Sequence, residues 1–203
     1  MDSIWDKPVS HGQILKKIWK QLEAGVSDRN HPFHTAVFAT VYDEKPCTRS
    51  VILRRFWKKP ARIAFHAYVD SPKILQIKKN SNVSWLFYNA EDKFQVRING
   101  SAQLHFDDEI AKEQWMITNL FSRRCYLGET PTRQSKKPVH GMSEEIVEAK
   151  FTIDESEVGR QNFVVVSSNI ESIDCVELDV AGHRRSLFTW DKNGQLDTKW
   201  LTP

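Results

Sequence analysis

Phe94-Gln95-Val96-Arg97-Ile98-Asn99-Gly100-Ser101-Ala102-Gln103-Leu104-His105 is the stretch that decides the fold class. Phe94, Val96, Ile98, Ala102 and Leu104 alternate with Gln95, Arg97, Asn99, Ser101 and Gln103. A period of two held this long belongs to a strand with one face in a core and the other in water. Working outward, the same period marks Val83 to Tyr88 and Arg62 to Tyr68, and further upstream Thr35 to Tyr42 and Thr48 to Arg55, which Asp43 to Pro46 join as a hairpin. Between Tyr68 and Val83, Ser71-Pro72 opens a short helix through Lys79, an N-cap followed by proline at the first helical position. Downstream, Asp107 caps a helix to about Asn119, a polar stretch runs from Ser122 to Gly141, and a shorter helix is expected over Ser143 to Lys150. Late strands follow at Asn162 to Ser168, at Ser172 to Val180, and at Arg185 to Trp190, the last paired across Asn193-Gly194 with Gln195 to Leu201.

At the other end of the chain, Ile14, Leu15, Ile18, Trp19 and Leu22 recur at helical spacing between Ser10 and Gly25. Many short strands and few helices point to a mainly β fold, an antiparallel β-barrel with peripheral helices. A chain of 203 residues suits one domain over 1–203: an N-terminal helix at about 11–24, a core barrel at about 33–106, a helix and loop at about 107–160, and C-terminal strands at about 162–203.

Apolar residues at 40% and charged residues at 27% are ordinary for a folded chain. No apolar run is long enough to cross a bilayer and the first residues lack the apolar core of a signal peptide, so a cytoplasmic location with no membrane partner is the expectation. Cys47, Cys125 and Cys175 are odd in number and far apart, which suits reduced structural thiols. His11, His31, His34, His66, His105, His140 and His183 show no metal-ligand spacing, and no metal is expected. Neither a phosphate-binding glycine loop nor a dinucleotide fingerprint follows any strand, and there is no nucleophile elbow.

Charge is unevenly spread. Lys45 to Lys79 holds ten basic residues against Asp70, a net of +9, which leaves −6 for the rest of a chain whose total is +3. Such an excess implies an anionic partner, a phosphate group or a nucleic acid. Within it, a phosphate at the helix start after Ser71 would meet free backbone N–H groups, a hydroxyl and Lys73, with Arg49 adding a forked donor from a neighbouring strand. On the wet face of Phe94 to His105, Gln95 and Arg97 lie two residues apart and so on one side, and Gln95 offers a donor and an acceptor to a planar heterocycle.

Arg49-Ser50-Val51-Ile52-Leu53-Arg54, Ser71-Pro72-Lys73, Gln95 to Gly100 and Gln134-Ser135, in that order and spacing, resemble the pyridoxine/pyridoxamine 5′-phosphate oxidase superfamily of FMN-binding split barrels. The likeness covers about Phe33 to Ser135 and resumes over the last strands at Trp200-Leu201-Thr202-Pro203. It implies a homodimer with FMN at the subunit interface, the phosphate held by Arg49, Ser71 and Lys73, and a flavin site that also takes in Ser50, Val51, Ile52, Arg54, His66, Gln95, Arg97, Gln134, Ser135 and a late-strand arginine, Arg185 or its neighbour Arg184. His66-Ala67 stands where the family has an aromatic-Thr pair, and Trp115, Asn119 and Ser122 or Arg123 stand where the oxidase binds its substrate's phosphate. The resemblance therefore implies an FMN-dependent oxidoreductase acting on a small molecule other than the vitamin B6 phosphate. Two other readings stay open: a non-catalytic FMN or haem binder on the same scaffold, and, more weakly, a nucleic-acid binder using Phe56, Trp57, Lys58 and Lys59.

Overall fold

The computed structural model describes residues 4–5, 8–132, 134–139, 141–142, 146 and 151–203. The helix expected over Ser143 to Lys150 lies outside them apart from Ile146. Nine strands form one antiparallel sheet: β1 (Thr35–Tyr42), β2 (Lys45–Ile52), β3 (Arg55–Lys58), β4 (Ala61–Tyr68), β5 (Asn82–Asn89), β6 (Phe94–His105), β7 (Phe163–Glu177), β8 (Arg184–Trp190) and β9 (Leu196–Leu201). Their order is β2-β1-β5-β6-β7-β4-β3, with β8 and β9 continuing from β7.

The alternation read in β6 is the organising fact. Phe94, Val96, Ile98 and Ala102 are buried in the main core with Phe38, Phe65, Trp85 and Phe87. Phe38, Phe65 and Trp85 meet edge to face at centroid separations of 4.7, 5.2 and 5.5 Å, the geometry that aromatic quadrupoles favour. The Trp85 indole donates to Ser168 Oγ at 3.1 Å, so its one polar group is satisfied inside the core. Helix α1 (His11–Ser27) begins at a capping box between Ser10 and Gln13 and buries Ile14, Ile18 and Leu22 in the same core. Gly25 does not end this helix. It lies within it, where a Cβ would come 2.6 Å from the Phe33 carbonyl oxygen, so the glycine serves close packing and Asp28 is the C-cap.

Three other sequence expectations shift. Thr48 to Arg55 is not one strand: β2 stops at Ile52, Leu53 and Arg54 cross over, and β3 starts at Arg55, the Arg54 N–H bonding the Ala64 carbonyl at 2.8 Å. The two late strands expected at Asn162 to Ser168 and Ser172 to Val180 are a single 15-residue β7. It pairs with β4 through its first half, with β8 through its second, and with β6 along most of its length, across a register shift at Asn99/Gly100 that absorbs Glu171. The polar stretch after Ser122 also begins in structure, with a short helix Leu120–Arg123 and a 3-10 turn Arg124–Tyr126.

The sheet curls but does not close. Its end strands β2 and β3 share no ladder, which leaves an antiparallel split barrel. Over the outer face beside β4, helix α3 (Glu109–Ile117) and the 3-10 turn make a second cluster of Ala64, Ala111, Trp115, Tyr126, Phe163 and Val165. Helix α2 (Pro72–Lys79) packs against β1 with Ile74 and Ile77 in the main core.

Candidate functional site

β2 pairs with β1 alone, so its other edge is open, and β3 covers β4 only as far as Ala64. The unladdered edges of Ser50–Ile52 and Phe65–His66 flank a cleft of about 260 Å³, completed by Arg54, Lys73 and Tyr126. The split in the barrel is thus a slot lined by backbone groups outside any ladder and by cations. Its volume is just under the roughly 300 Å³ at which pockets begin to enclose a drug-sized ligand, so this cleft holds part of such a molecule.

No carboxylate of the described residues pairs with Arg49, Arg54 or Lys73, although twelve lysine or arginine ion pairs among those residues tie down cations elsewhere. Burial, and then the nearby Arg49 charge, hold the Lys73 ammonium below the usual lysine range, and burial lowers Arg49 likewise. Two desolvated cations side by side are unfavourable without an anion, which marks the slot as a place for one. Arg49 is not wholly free: its Nη1 donates to Thr40 Oγ1 at 2.8 Å and its Nη2 to Gln76 Oε1 at 2.7 Å, bracing β1, β2 and α2 together. Ser71 is the N-cap of α2 by position, but its hydroxyl makes no cap bond and donates to the Tyr68 carbonyl.

His66 projects from the outer face of β4, edge-on to Phe163, with its Nε2 3.4 Å from Gln114 Oε1. Burial, reinforced by Arg54 and opposed by the Gln114 bond, lowers its imidazole to about 3, so the ring is neutral. Gln114 is wholly buried and its Nε2 has no partner among the described residues. Tyr126 is buried against Trp115 and Phe163, and that burial raises its phenol.

The remaining sequence-derived positions gather elsewhere. Strand pairing aligns Val37, Leu86, Arg97, Asp174 and Leu187 in one row across the sheet and Tyr88, Gln95, Val176 and Arg185 in the next. Asp174 joins the rows, accepting from Arg97 Nη2 and from Arg185 Nε and Nη2 at 3.0 and 2.8 Å. The Arg185 hydrogen bond above all holds its carboxyl below the usual range. His66 pairs with Val165 and Arg97 with Asp174, nine positions apart on β7, roughly 30 Å of strand. Gln134 and Ser135 are exposed, Ser135 Oγ donating to the Lys137 carbonyl.

Of the positions that the resemblance sets against the oxidase's substrate grip, Trp115, Asn119 and Arg123 have structural partners. The Trp115 indole donates to Glu157 at 3.0 Å, Asn119 caps the helix Leu120–Arg123, and Arg123 is buried with bonds to Thr118, Trp115, Ser156 and Glu157. Sequence reasoning missed Gln114 and Tyr126 as neighbours of the cleft. Gln114 was discoverable, since a polar residue between Ala111 and Trp115 sits on the apolar side of α3.

A larger groove of about 990 Å³ lies between Trp19, Trp190 and the turn at Lys58–Ala61. Its lysines Lys58, Lys59 and Lys192 are interspersed with Glu171 and Asp191, so it lacks the uncompensated charge of the slot.

Residues 16–106 match the family model described as pyridoxamine 5′-phosphate oxidase, FMN-binding domain. Among solved structures, the chain is similar to a pyridoxamine 5′-phosphate oxidase-related, FMN binding protein from Nostoc punctiforme, at 17% identity and a TM-score of 0.73, over 93% of this chain and 96% of that one. It is also similar to PhzG from Burkholderia lata, solved with tetrahydrophenazine-1-carboxylic acid, at 17% identity and a TM-score of 0.66, over 100% and 98% of the chains. General stress protein 26 of Bacillus anthracis matches at 16% identity and a TM-score of 0.50, over 80% and 95%. No helix of the described residues is long and apolar enough to cross a membrane.

Proposed function

We propose, from the premise that this chain is a divergent relative of the pyridoxamine 5′-phosphate oxidase-like FMN-binding split barrels, that it is a flavoprotein holding FMN by its phosphate in the barrel split. The observation that carries this reading is the slot between β2 and β4, where Arg54 and Lys73 have no acidic partner among the described residues. The donor set fits the group: cations and a strand edge for the phosphate and its polyol, in a space sized for that end of the molecule and not for the ring as well. FMN, when bound, supplies two-electron redox chemistry.

The chain's own residues would divide the work by position. Arg54 and Lys73 bind the phosphate, and the Ser50–Ile52 edge orients the polyol. Arg97 and Arg185, fixed by Asp174, form with Gln95 a polar patch suited to a planar heterocycle and to negative charge growing on it. A homodimer in which each copy lends its patch to its partner's slot would bring both to one flavin. In this reading the protein is an oxidoreductase for a small molecule other than the B6 phosphate, since Trp115, Asn119 and Arg123 are engaged in packing, capping and ion pairing.

The test is the absorbance of the purified protein followed by titration with FMN and riboflavin. FMN should bind much more tightly than riboflavin. Arg54→Ala and Lys73→Ala should each cost about 1.5–3 kcal/mol, a tenfold or greater rise in Kd for FMN, with riboflavin unaffected. Equal affinity for the two flavins, unchanged by either variant, would refute the site, and a Soret band would move the cofactor to haem.

A further inference from the structure

Phe56, Trp19 and Trp190 form a run of rings, with centroids 5.1 and 6.1 Å apart and successive planes tilted by 32° and 33°. The run ends at Trp190, which is half-buried, has no further ring against it among the described residues, and forms one wall of the groove of about 990 Å³. A half-buried indole with a bare face is a surface on which another planar ring gains stacking and burial. Trp19, the other indole wall, is nine-tenths buried, yet its N–H has no acceptor among the described residues. Comparably buried indoles in this fold are satisfied: Trp85 donates to Ser168 and Trp115 to Glu157. The Trp19 nitrogen is not one of the fully occluded orphan atoms, so the open tenth of the residue includes this donor, and the space it opens onto is the groove.

The rim supplies charge of both signs. Lys58 is engaged by Glu23 at 3.8 Å, and Asp191 turns its Oδ1 onto the Asn193 and Gln195 amides of its own turn at 2.9 and 2.7 Å. Lys59 and Lys192 have no ion pair among the described residues, nor has Glu171 at the β7 bulge. Two ammoniums set against the Glu171 and Asp191 carboxylates leave these four groups with no net charge. A simple anion or cation there meets repulsion as well as attraction, whereas a dipolar ligand laid the right way round meets attraction at both ends. We propose that this groove is a second binding site and takes an aromatic α-amino acid as its zwitterion, the ring on Trp190, the carboxylate accepting from the Trp19 N–H and the lysines, the ammonium against Glu171. The site does not depend on the flavin reading. Its Lys58–Ala61 turn lies at the opposite end of β4 from His66 of the slot, five residues or roughly 17 Å of strand away.

The experiment is calorimetric titration of L-tryptophan into the protein saturated with FMN, and again without added FMN. L-leucine, indole-3-propionate and tryptamine, which lack in turn the ring, the ammonium and the carboxylate, are titrated beside it. We expect saturable binding of tryptophan, equal in the two preparations, and binding of each analogue at least tenfold weaker. Trp190→Leu should raise the Kd for tryptophan at least tenfold, and Glu171→Gln should weaken tryptophan but not indole-3-propionate, both variants being checked as folded by circular dichroism. Absence of saturable binding at millimolar tryptophan overturns the proposal. So does binding that FMN displaces, which would put the amino acid in the flavin slot, binding that any analogue matches, or binding untouched by either variant. The arm without FMN keeps this test apart from the flavin reading, since it gives its answer whether or not the slot holds FMN.

Discussion

Single residues in this protein take their meaning from what neutralises them. Arg49 reads in sequence as a phosphate ligand, but in the fold it also braces Thr40 and Gln76, so its replacement disturbs the strand-helix contact as well as the slot. Lys73 and Arg54 carry the cleaner signal. The converse case is Asp174, a buried acid shared by two arginines. Its carboxyl is held low in the folded state, so its contribution is present above the ordinary aspartate pKa of about 4 and is lost as pH falls below it. Asp174→Asn should therefore lower stability by about 1–2 kcal/mol near pH 7, a modest figure because Arg97 is half exposed. The difference from wild type should shrink as pH falls through the lowered range of the Asp174 carboxyl, and urea unfolding near pH 7 and in acid checks both statements. That Arg97 and Arg185 would meet on one acid was invisible in the sequence, where the three lie far apart, whereas the Ser71-Pro72-Lys73 helix start was plain because it is local.

Among the elements, β7 explains most of what sequence periodicity misread. Ser168 and Ser172 bracket a bulge at Glu171, and a bulge breaks the two-residue rhythm, so one strand reads as two. The amphipathic β6 and the first hairpin were legible because each alternates without interruption over its own length. Even within β2 and β3 the alternation hides the crossover at Leu53-Arg54, since Leu53 remains buried. Opposite the bulge sits Gly100, where a Cβ would lie 1.8 Å from the Asn169 carbonyl oxygen. The neighbour is backbone and cannot rotate away, so Gly100→Ala should cost roughly 3 kcal/mol, the upper end for overpacking, and lower the unfolding temperature accordingly. Thermal unfolding followed by circular dichroism measures it, and a shift no larger than that of Gly194→Ala would contradict the close approach. Gly194 has open space around it, and strain from its positive φ is the cost there.

At the scale of the whole molecule, one outer face is clothed and another is bare. Helix α3 covers the sheet beside β4, while Val37 and Tyr88 stand exposed on the outside of β1 and β5, in the rows that lead to Arg97 and Gln95. Exposed apolar residues beside a charged patch suit a two-fold interface, and the proposed homodimer would bury them. Val37→Glu should yield a monomer by sedimentation velocity and weaken FMN binding at least tenfold, whereas a variant that stays dimeric with full flavin affinity would separate this face from the site. The same topology has a bearing on biosynthesis. β4, which forms one wall of the slot, has its long-range partner in β7, about a hundred residues later in the chain. Until the ribosome has released Phe163 to Glu177, the growing polypeptide carries two unpaired edges, β4 and β6, each able to recruit a neighbouring nascent chain. Messages cut short before codon 163 should accordingly give insoluble product, and the step most in need of chaperone protection is the wait for a single late strand.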